Sequence, residues 1–254
     1  MSPERLDEIA GALDEAWARG RTVPAPSSTD DLTIEEAYEI QELLVERRIG
    51  RGRRRIGWKM GLTTAGPGTT PIVGTLLDDM VVASGTTLSR SSMVGPQVEA
   101  ELVVEIGVAI ERPVSAAELA DGPHRVAPGI EVIDYRTTDS TGVVDWVADN
   151  STVAYAVVGE SVPVGDVSLP EVETTLSDES GTLAHGRGDQ VMGNPLSAVA
   201  WLSHHLITRG HRLEPGDVIL TGSLTGHHPV VPDASEEFEA VFGSLGSVSV
   251  RFTP

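Results

Sequence analysis

The run Gly95 to Glu105, GPQVEAELVVE, alternates with period two. Val98, Ala100, Leu102, Val104 and the following Ile106 fall on one side, and Glu99, Glu101, Val103 and Glu105 on the other. Alternation of this length reads as a half-buried β-strand. Residues two apart in a strand point the same way, with Cβ atoms roughly 7 Å apart. Glu99 and Glu101 can therefore lean onto one hard cation, which prefers oxygen ligands. A second apolar run, Pro128 to Asp134, sets Glu131 between Ile130 and Val132. Acidic residues are depleted in strands, so three of them in two apolar strands need a reason. Spacing alone leaves two open: a solvated sheet face on an acidic protein, or a divalent metal site.

Composition narrows the class. A chain of 254 residues builds one large domain, or a domain with a small appendage. Aromatic residues make up only 4%, so the core must rest on Val, Leu, Ile and Ala. With no cysteine there is no disulfide framework, no thiol nucleophile and no Cys-ligated zinc. The net charge of −20 disfavours nucleic acid and anionic membranes as partners. No apolar run approaches the roughly 20 residues of a membrane span. The amphipathic, acidic N-terminus does not resemble a signal peptide, so a cytoplasmic location is expected by default. Of the 18 basic residues, all but Lys59 are arginine. A position that keeps lysine in such a chain points to a need for a compact ammonium whose pKa burial can lower; chance survival of one lysine is the alternative.

Along the chain, residues 3–19 read as a helix capped by Ser2 and ended by Gly20. A Pro- and Ser-containing connector follows. Thr33 and Glu36 form a capping box for a second helix to about Arg48, with Ile34, Ala37, Tyr38, Leu44 and Val45 inward. Residues 1–55 thus form a helical N-terminal region, and 56–254 a β-rich core with one late helix. Arg51 to Arg55 is a basic cluster, read as a solvated turn or an anion-capturing loop. Ile56 to Thr63 reads as a strand with Lys59 at its middle, and 64–71 as a Gly-, Pro- and Thr-rich loop suited to an active-site rim. Asp78-Asp79 interrupts the next strand region, as a turn or as a way of placing Asp79 near the lysine. Asp149 and Asn150 are polar contacts or parts of a cap. Asn194-Pro195 opens the late helix, and Phe242 to Phe252 alternates as a C-terminal strand. Helices in front of many short strands argue for an α+β fold.

Other motifs fail. Gly222 to Gly226 is not the G-x-S-x-G elbow, since Ser223 directly follows the first glycine. His204 and His205 are adjacent on a helix and do not share a face. His227-His228 lies in a Gly/Pro loop, near a site or simply exposed. There is no Walker A or Rossmann fingerprint.

Taken together, GWKMGLT (57–63), GTLLDDM (74–80), VEAE (98–101), IEVID (130–134), VADNS (147–151), MGNPLSAVAWL (192–202), LEPGDVILTGSLTG (213–226) and FGSLGSVSVRF (242–252) carry a resemblance. The chain resembles the 2-oxopent-4-enoate hydratase / 4-oxalocrotonate decarboxylase group of the fumarylacetoacetate hydrolase superfamily, from about residue 35 onward. The resemblance implies a mixed β-roll core behind the helical N-terminal region. It implies Mg²⁺ or Mn²⁺ held by Glu99, Glu101 and Glu131, and Lys59 as an acid/base or substrate-orienting group. Asp79 is a second catalytic candidate; Leu62, Asn150, Ser223 and Thr225 are substrate-binding candidates. A homo-oligomer is implied, with association with a related hydratase or decarboxylase as an option.

The reaction so implied is that of a metal-dependent lyase on a small 2-oxo or 2-hydroxydienoic acid, in aromatic catabolism or a specialised biosynthesis. Such an acid chelates the cation through its carboxylate and C2 oxygen, and charge developing on that oxygen is stabilised. A hydratase ketonises the substrate and adds water at the distal alkene; a decarboxylase loses CO₂ to the same kind of dienolate. Hydratase is the first expectation and decarboxylase the second. A repurposed tautomerase or C–C hydrolase of the superfamily follows, and a non-catalytic partner subunit is the alternative from another class. Two departures bear on the choice. The loop before Gly74 is short, and the hydratase Asp two residues ahead of that glycine is here Ile72; Gln97 also stands where a basic residue is usual.

Overall fold

The computed structural model describes residues 1–64, 66, 68–140, 142–231 and 236–254. Helix α1 (Pro3–Arg19) begins with the Ser2 hydroxyl accepting from Arg5 N–H at 3.3 Å and ends at Gly20, whose φ is 55°. A two-residue strand, β1 (Val23–Pro24), leads to α2 (Ile34–Ile49), where Thr33 and Glu36 cap each other reciprocally. Ala37, Tyr38, Ile40, Gln41, Leu44 and Val45 are buried, while Ile34 stays half-buried in the first turn. The basic cluster after α2 is consumed by ion pairs: Arg51 with Asp14, Arg53 with Asp79, Arg54 with Asp78 and Arg55 with Glu42.

The chain continues through β2 (Arg55–Gly61), β3 (Ile72–Leu77), β4 (Val81–Ala83), β5 (Thr86–Ser89) and β6 (Gln97–Glu105). A short helix, α3 (Ala116–Ala120), precedes β7 (Arg125–Ile133), β8 (Thr137–Thr138), helix α4 (Val143–Ala148) and β9 (Val153–Val158). Then come β10 (Val162–Pro163), β11 (Glu173–Asp178), β12 (Gly181–Arg187) and helix α5 (Pro195–Thr208), capped by Asn194. The last strands are β13 (Val218–Ser223), β14 (His228–Pro229), β15 (Glu236–Val241) and β16 (Ser247–Thr253). The alternation read from Phe242 therefore becomes a strand only at Ser247. Gly243 at φ 52° and Gly246 at φ 105° turn the chain between β15 and β16, conformations that glycine adopts without a Cβ clash.

One nine-stranded mixed sheet follows the path β3-β2-β13-β6-β7-β9-β4, with β14 beside β6 and β10 beside β7. A five-stranded sheet, β12-β11-β15-β16-β5, packs over its β6, β7 and β9 strands. A continuous apolar core joins both sheets to α1, α2 and α5. This is an α+β architecture.

Strand β3 shows what keeps the sheet's edge closed. It is the end strand, yet all six of its residues are buried, where unpaired backbone groups would be costly. Side chains take the place of a further strand. Val73 N–H donates to Tyr38 Oη at 3.1 Å, and Val73 C=O accepts from Gln41 Nε2 at 2.9 Å and Ser151 Oγ at 2.8 Å. Asn150 spans Thr75, accepting from its N–H at 2.7 Å and donating to its C=O at 2.9 Å. Asn150, Ser151 and Thr152 are left-handed in succession, at φ 50°, 50° and 62°. Such residues cost about 1–2 kcal/mol each, which these hydrogen bonds offset. The turn leans on Gly74, where an added Cβ would meet Asn150 O at 2.6 Å and Lys59 Cγ at 3.1 Å. Turn, glycine and lysine stem thus pack as one layer.

Candidate metal centre

Strands β6 and β7 pair antiparallel with Glu99 directly opposite Glu131 and Glu101 opposite Gly129. One carboxylate oxygen from each of Glu99, Glu101 and Glu131 lies within 4.8 Å of the others. An octahedral ion with oxygens at about 2.1 Å spans ligands by that much or less. Among the described residues this is the one such cluster. From the other side β2 delivers Lys59, whose Nζ stands 3.1 Å from Glu131 Oε1. That contact is an ion pair outside hydrogen-bonding angles, since neither Glu131 oxygen has a hydrogen-bond partner among the described residues. Glu101 Oε2 accepts from Gly222 N–H at 2.8 Å, and its Oε1 likewise has no donor there.

The electrostatics follow from burial. Glu101 is pushed well above the usual carboxylate range by burial, then by Glu131 and Glu99. Burial raises Glu131 to about 7, against the pull of Lys59. Glu99 goes the other way: burial would raise it, but contact with His227 and the Lys59 charge hold it below its ordinary value. Burial draws the Lys59 ammonium down, yet Glu131, Glu99 and Glu101 outweigh it and the net shift is upward. That is the reverse of the lowering expected from the sequence, because the spacing did not reveal three anions around one cation. One ammonium cannot neutralise three carboxylates, two of them fully buried, and uncompensated buried charge is costly. The donor-free oxygens and the surplus negative charge fit a hard divalent cation.

The other residues singled out in the sequence divide. Leu62, at φ 61°, directly follows the last residue of β2, the strand that carries Lys59. Ser223 pairs in register with Glu101, and its buried hydroxyl has no partner among the described residues. Asn150 spends its amide on Thr75. Thr225 Oγ1 accepts from Ala100 N–H at 3.0 Å and donates to Gly226 C=O at 3.1 Å. Asp79 is not brought to the lysine. It binds Arg48 at 2.7 Å and Arg53 at 3.0 Å, in the turn beyond the far end of β3. Ile72 does sit at the site: a Cβ on Gly61 would meet Ile72 Cγ1 at 2.9 Å and Lys59 Nζ at 3.7 Å. His205 stacks on Trp201 at 4.9 Å, away from metal chemistry.

Two residues escaped the sequence reading, and a third had been left open. His227, read as near a site or exposed, has its Nδ1 3.8 Å from Glu99 Oε1. Tyr135, on the strand exit after Glu131, has its phenol pushed up by burial and then by Glu99. Thr63, 6% exposed, has a hydroxyl without a partner among the described residues, against Gly222. The signal for Thr63 was available: it follows the lysine strand directly.

Fold and site together define an α+β protein with a buried three-carboxylate cation site served by one lysine. Residues 54–253 match the family model described as fumarylacetoacetate (FAA) hydrolase C-terminal, and the chain belongs to that family. It is 32% identical to a 2-keto-4-pentenoate hydratase of Paraburkholderia xenovorans (strain LB400), over 99% of this chain and 96% of that one. It is 33% identical to a 4-oxalocrotonate decarboxylase of Pseudomonas sp, over 98% of each. The 4-oxalocrotonate decarboxylase from Pseudomonas putida G7, solved with magnesium and adipate, superposes with a TM-score of 0.92 at 29% identity, covering 100% of this chain and 99% of that one. No helix among the described residues is long and apolar enough to cross a membrane.

Proposed function

We propose that the protein is a divalent-metal-dependent hydratase that adds water to a 2-hydroxy-2,4-dienoate, the enol form of a 2-oxo-4-enoate. The observation that carries this reading is the gathering of half-buried Glu99 and fully buried Glu101 and Glu131 around a single ammonium, with donor-free oxygens on the latter two. These three residues would hold Mg²⁺ or Mn²⁺. Such a cation, when bound, stabilises negative charge on the C2 oxygen of a chelating 2-oxo acid.

The chain's own groups do the rest. Lys59, 5% exposed, carries a proton and moves it between nitrogen and the substrate's carbon skeleton as enol becomes ketone. With the proton delivered to C5 and the C2 hydroxyl proton released, the product is the conjugated 2-oxo-3-enoate; water then adds its oxygen at C4 while C3 takes a proton. The Thr63 and Ser223 hydroxyls donate to the substrate carboxylate, and Leu62 lines its approach. Asn150 and Thr225 hold the strands that carry Lys59 and the glutamates.

A second reading, loss of CO₂ from a 2-oxo-enedioate, is favoured by one residue. Apolar Ile72 stands beside Lys59, where the resemblance places an Asp in hydratases. Product mass decides between them. With Mn²⁺, 2-hydroxypenta-2,4-dienoate is expected to gain one water, and EDTA is expected to abolish the change. Loss of CO₂ from 2-oxohex-3-enedioate instead assigns the decarboxylase, and inertness toward both would sink the two readings together.

Metal affinity provides a separate check. Glu101→Gln is expected to weaken Mn²⁺ binding by about 100-fold or more in a calorimetric titration, because loss of an outer partner alone costs roughly 10- to 100-fold. Unchanged affinity would mean that the glutamates are not the ligands.

A further inference from the structure

A cleft of about 470 Å³ lies between residues 62–64, 66 and 68–71 on one side and the turn at 190–193 on the other. Its inner wall is formed by Leu62 and Thr63 and its other sides include Thr69, Pro71, Gln190 and Met192. Two of its lining residues adjoin neighbours of the carboxylate cluster. Leu62 follows Gly61, where an added Cβ would stand 3.7 Å from Lys59 Nζ; Thr63 Oγ1 fills the space over Gly222, whose N–H donates to Glu101. Volume and position match what a small ligand's outer half needs.

No described lining residue carries a charge. The sequence extends the point, since residues 62–71 contain no Asp, Glu, Lys, Arg or His. Apart from Lys59, which the carboxylate cluster holds, the nearest charged side chains along the chain, Arg187 and Asp189, pair with each other at 3.6 Å. Met192 stands at the rim, 38% exposed and held at φ 49°, with its N–H donating to Thr63 C=O at 3.2 Å. An exposed apolar side chain in a left-handed conformation is an uncommon choice, and its unbranched thioether adapts to varied apolar shapes.

We infer that this cleft takes the distal end of the substrate and selects an uncharged tail, with Met192 as the specificity-determining residue. The substrate class is then a 2-oxo or 2-hydroxydienoic monocarboxylate with a neutral substituent, and dicarboxylates are excluded. A second carboxylate there would leave water without gaining a cation, inside a protein of net charge −20. An apolar tail instead gains by leaving water. The inference rests on the reading of the glutamates as a 2-oxo acid site, and the test separates the two.

Protein loaded with Mn²⁺ is titrated calorimetrically with pyruvate, 2-oxohexanoate and 2-oxohexanedioate; the last two share a six-carbon chain and differ in the terminal group. 2-Oxohexanoate is expected to bind at least about tenfold tighter than 2-oxohexanedioate and several-fold tighter than pyruvate. Met192→Arg and Met192→Lys, each checked for folding by circular dichroism, are expected to shift the ratio of the two six-carbon affinities about tenfold toward the dicarboxylate. Equal affinities in the parent protein would overturn the inference, as would an unchanged ratio in both folded variants. Failure of pyruvate to bind at all would instead overturn the underlying 2-oxo acid reading, and the inference with it.

Discussion

Lys59→Ala is expected to lower kcat by about 10²- to 10⁴-fold, the usual worth of a positioned acid or base, while Mn²⁺ still binds. The binding should tighten, because the substitution removes a positive charge 3.1 Å from Glu131 and leaves three carboxylates to the ion. Opposite effects on turnover and metal affinity separate proton transfer from metal holding, and a simple loss of fold would abolish both. Lys59→Met keeps the stem's bulk against Gly74 and should show the same loss. Lys59→Arg should not rescue: the stem is packed against Gly74 and the Asn150 turn, and a planar guanidinium needs space that a compact ammonium does not. A non-catalytic partner subunit would tolerate all three replacements with its assembly intact. Wild-type turnover by Lys59→Met would place the proton transfer elsewhere.

The parts legible in the sequence were those written in short-range pattern. Helix α1 with its Ser2 cap, the Thr33–Glu36 box and the alternation of β6 each lie within a few consecutive residues. Glu99 and Glu101 were visible because period two puts both on one face, and Glu131 because an acid between Ile130 and Val132 is out of place. What stayed hidden depends on contacts across the chain. Asp79 looked free for chemistry, but Arg48 and Arg53 claim it from the end of α2. Asn150 looked like a ligand group, but both ends of its amide are spent 75 residues away on Thr75. The direction of the Lys59 shift depended on how many carboxylates surround it, which spacing in one strand does not tell. The cleft arises only where residues 62–64, 66 and 68–71 meet residues 190–193, that is, where the end of the lysine strand and the loop after it meet the stretch before the Asn194 cap, far apart in sequence.

The support behind Lys59 can be tested without touching the site. Arg136, 1% exposed, is held by Asp149 through Nε to Oδ1 at 2.8 Å and through Nη2 to the Asp149 carbonyl at 3.0 Å. Its guanidinium also reaches Val153 C=O at 3.2 Å and lies 4.4 Å from the Trp17 ring centre. Asp149→Ala is expected to cost about 3–5 kcal/mol, the range for stranding one member of a buried ion pair, read as a lower midpoint in urea. Domains of this kind have only about 5–15 kcal/mol in total. Replacing both partners, Arg136→Met with Asp149→Ala, should cost less than the single change, since no buried charge is then left alone. Burial raises the Asp149 carboxyl to about 6 even with Arg136 opposing it. The folded form therefore binds its proton more readily than the unfolded chain, so this group's contribution to stability falls as pH rises from about 4 to about 6 and is level above that. A single-variant loss below about 1 kcal/mol would show that the arginine finds solvent when its partner is removed. The expected loss would extend to the site, because Asp149 leads directly into the left-handed Asn150–Thr152 turn that packs on Gly74 against the Lys59 stem.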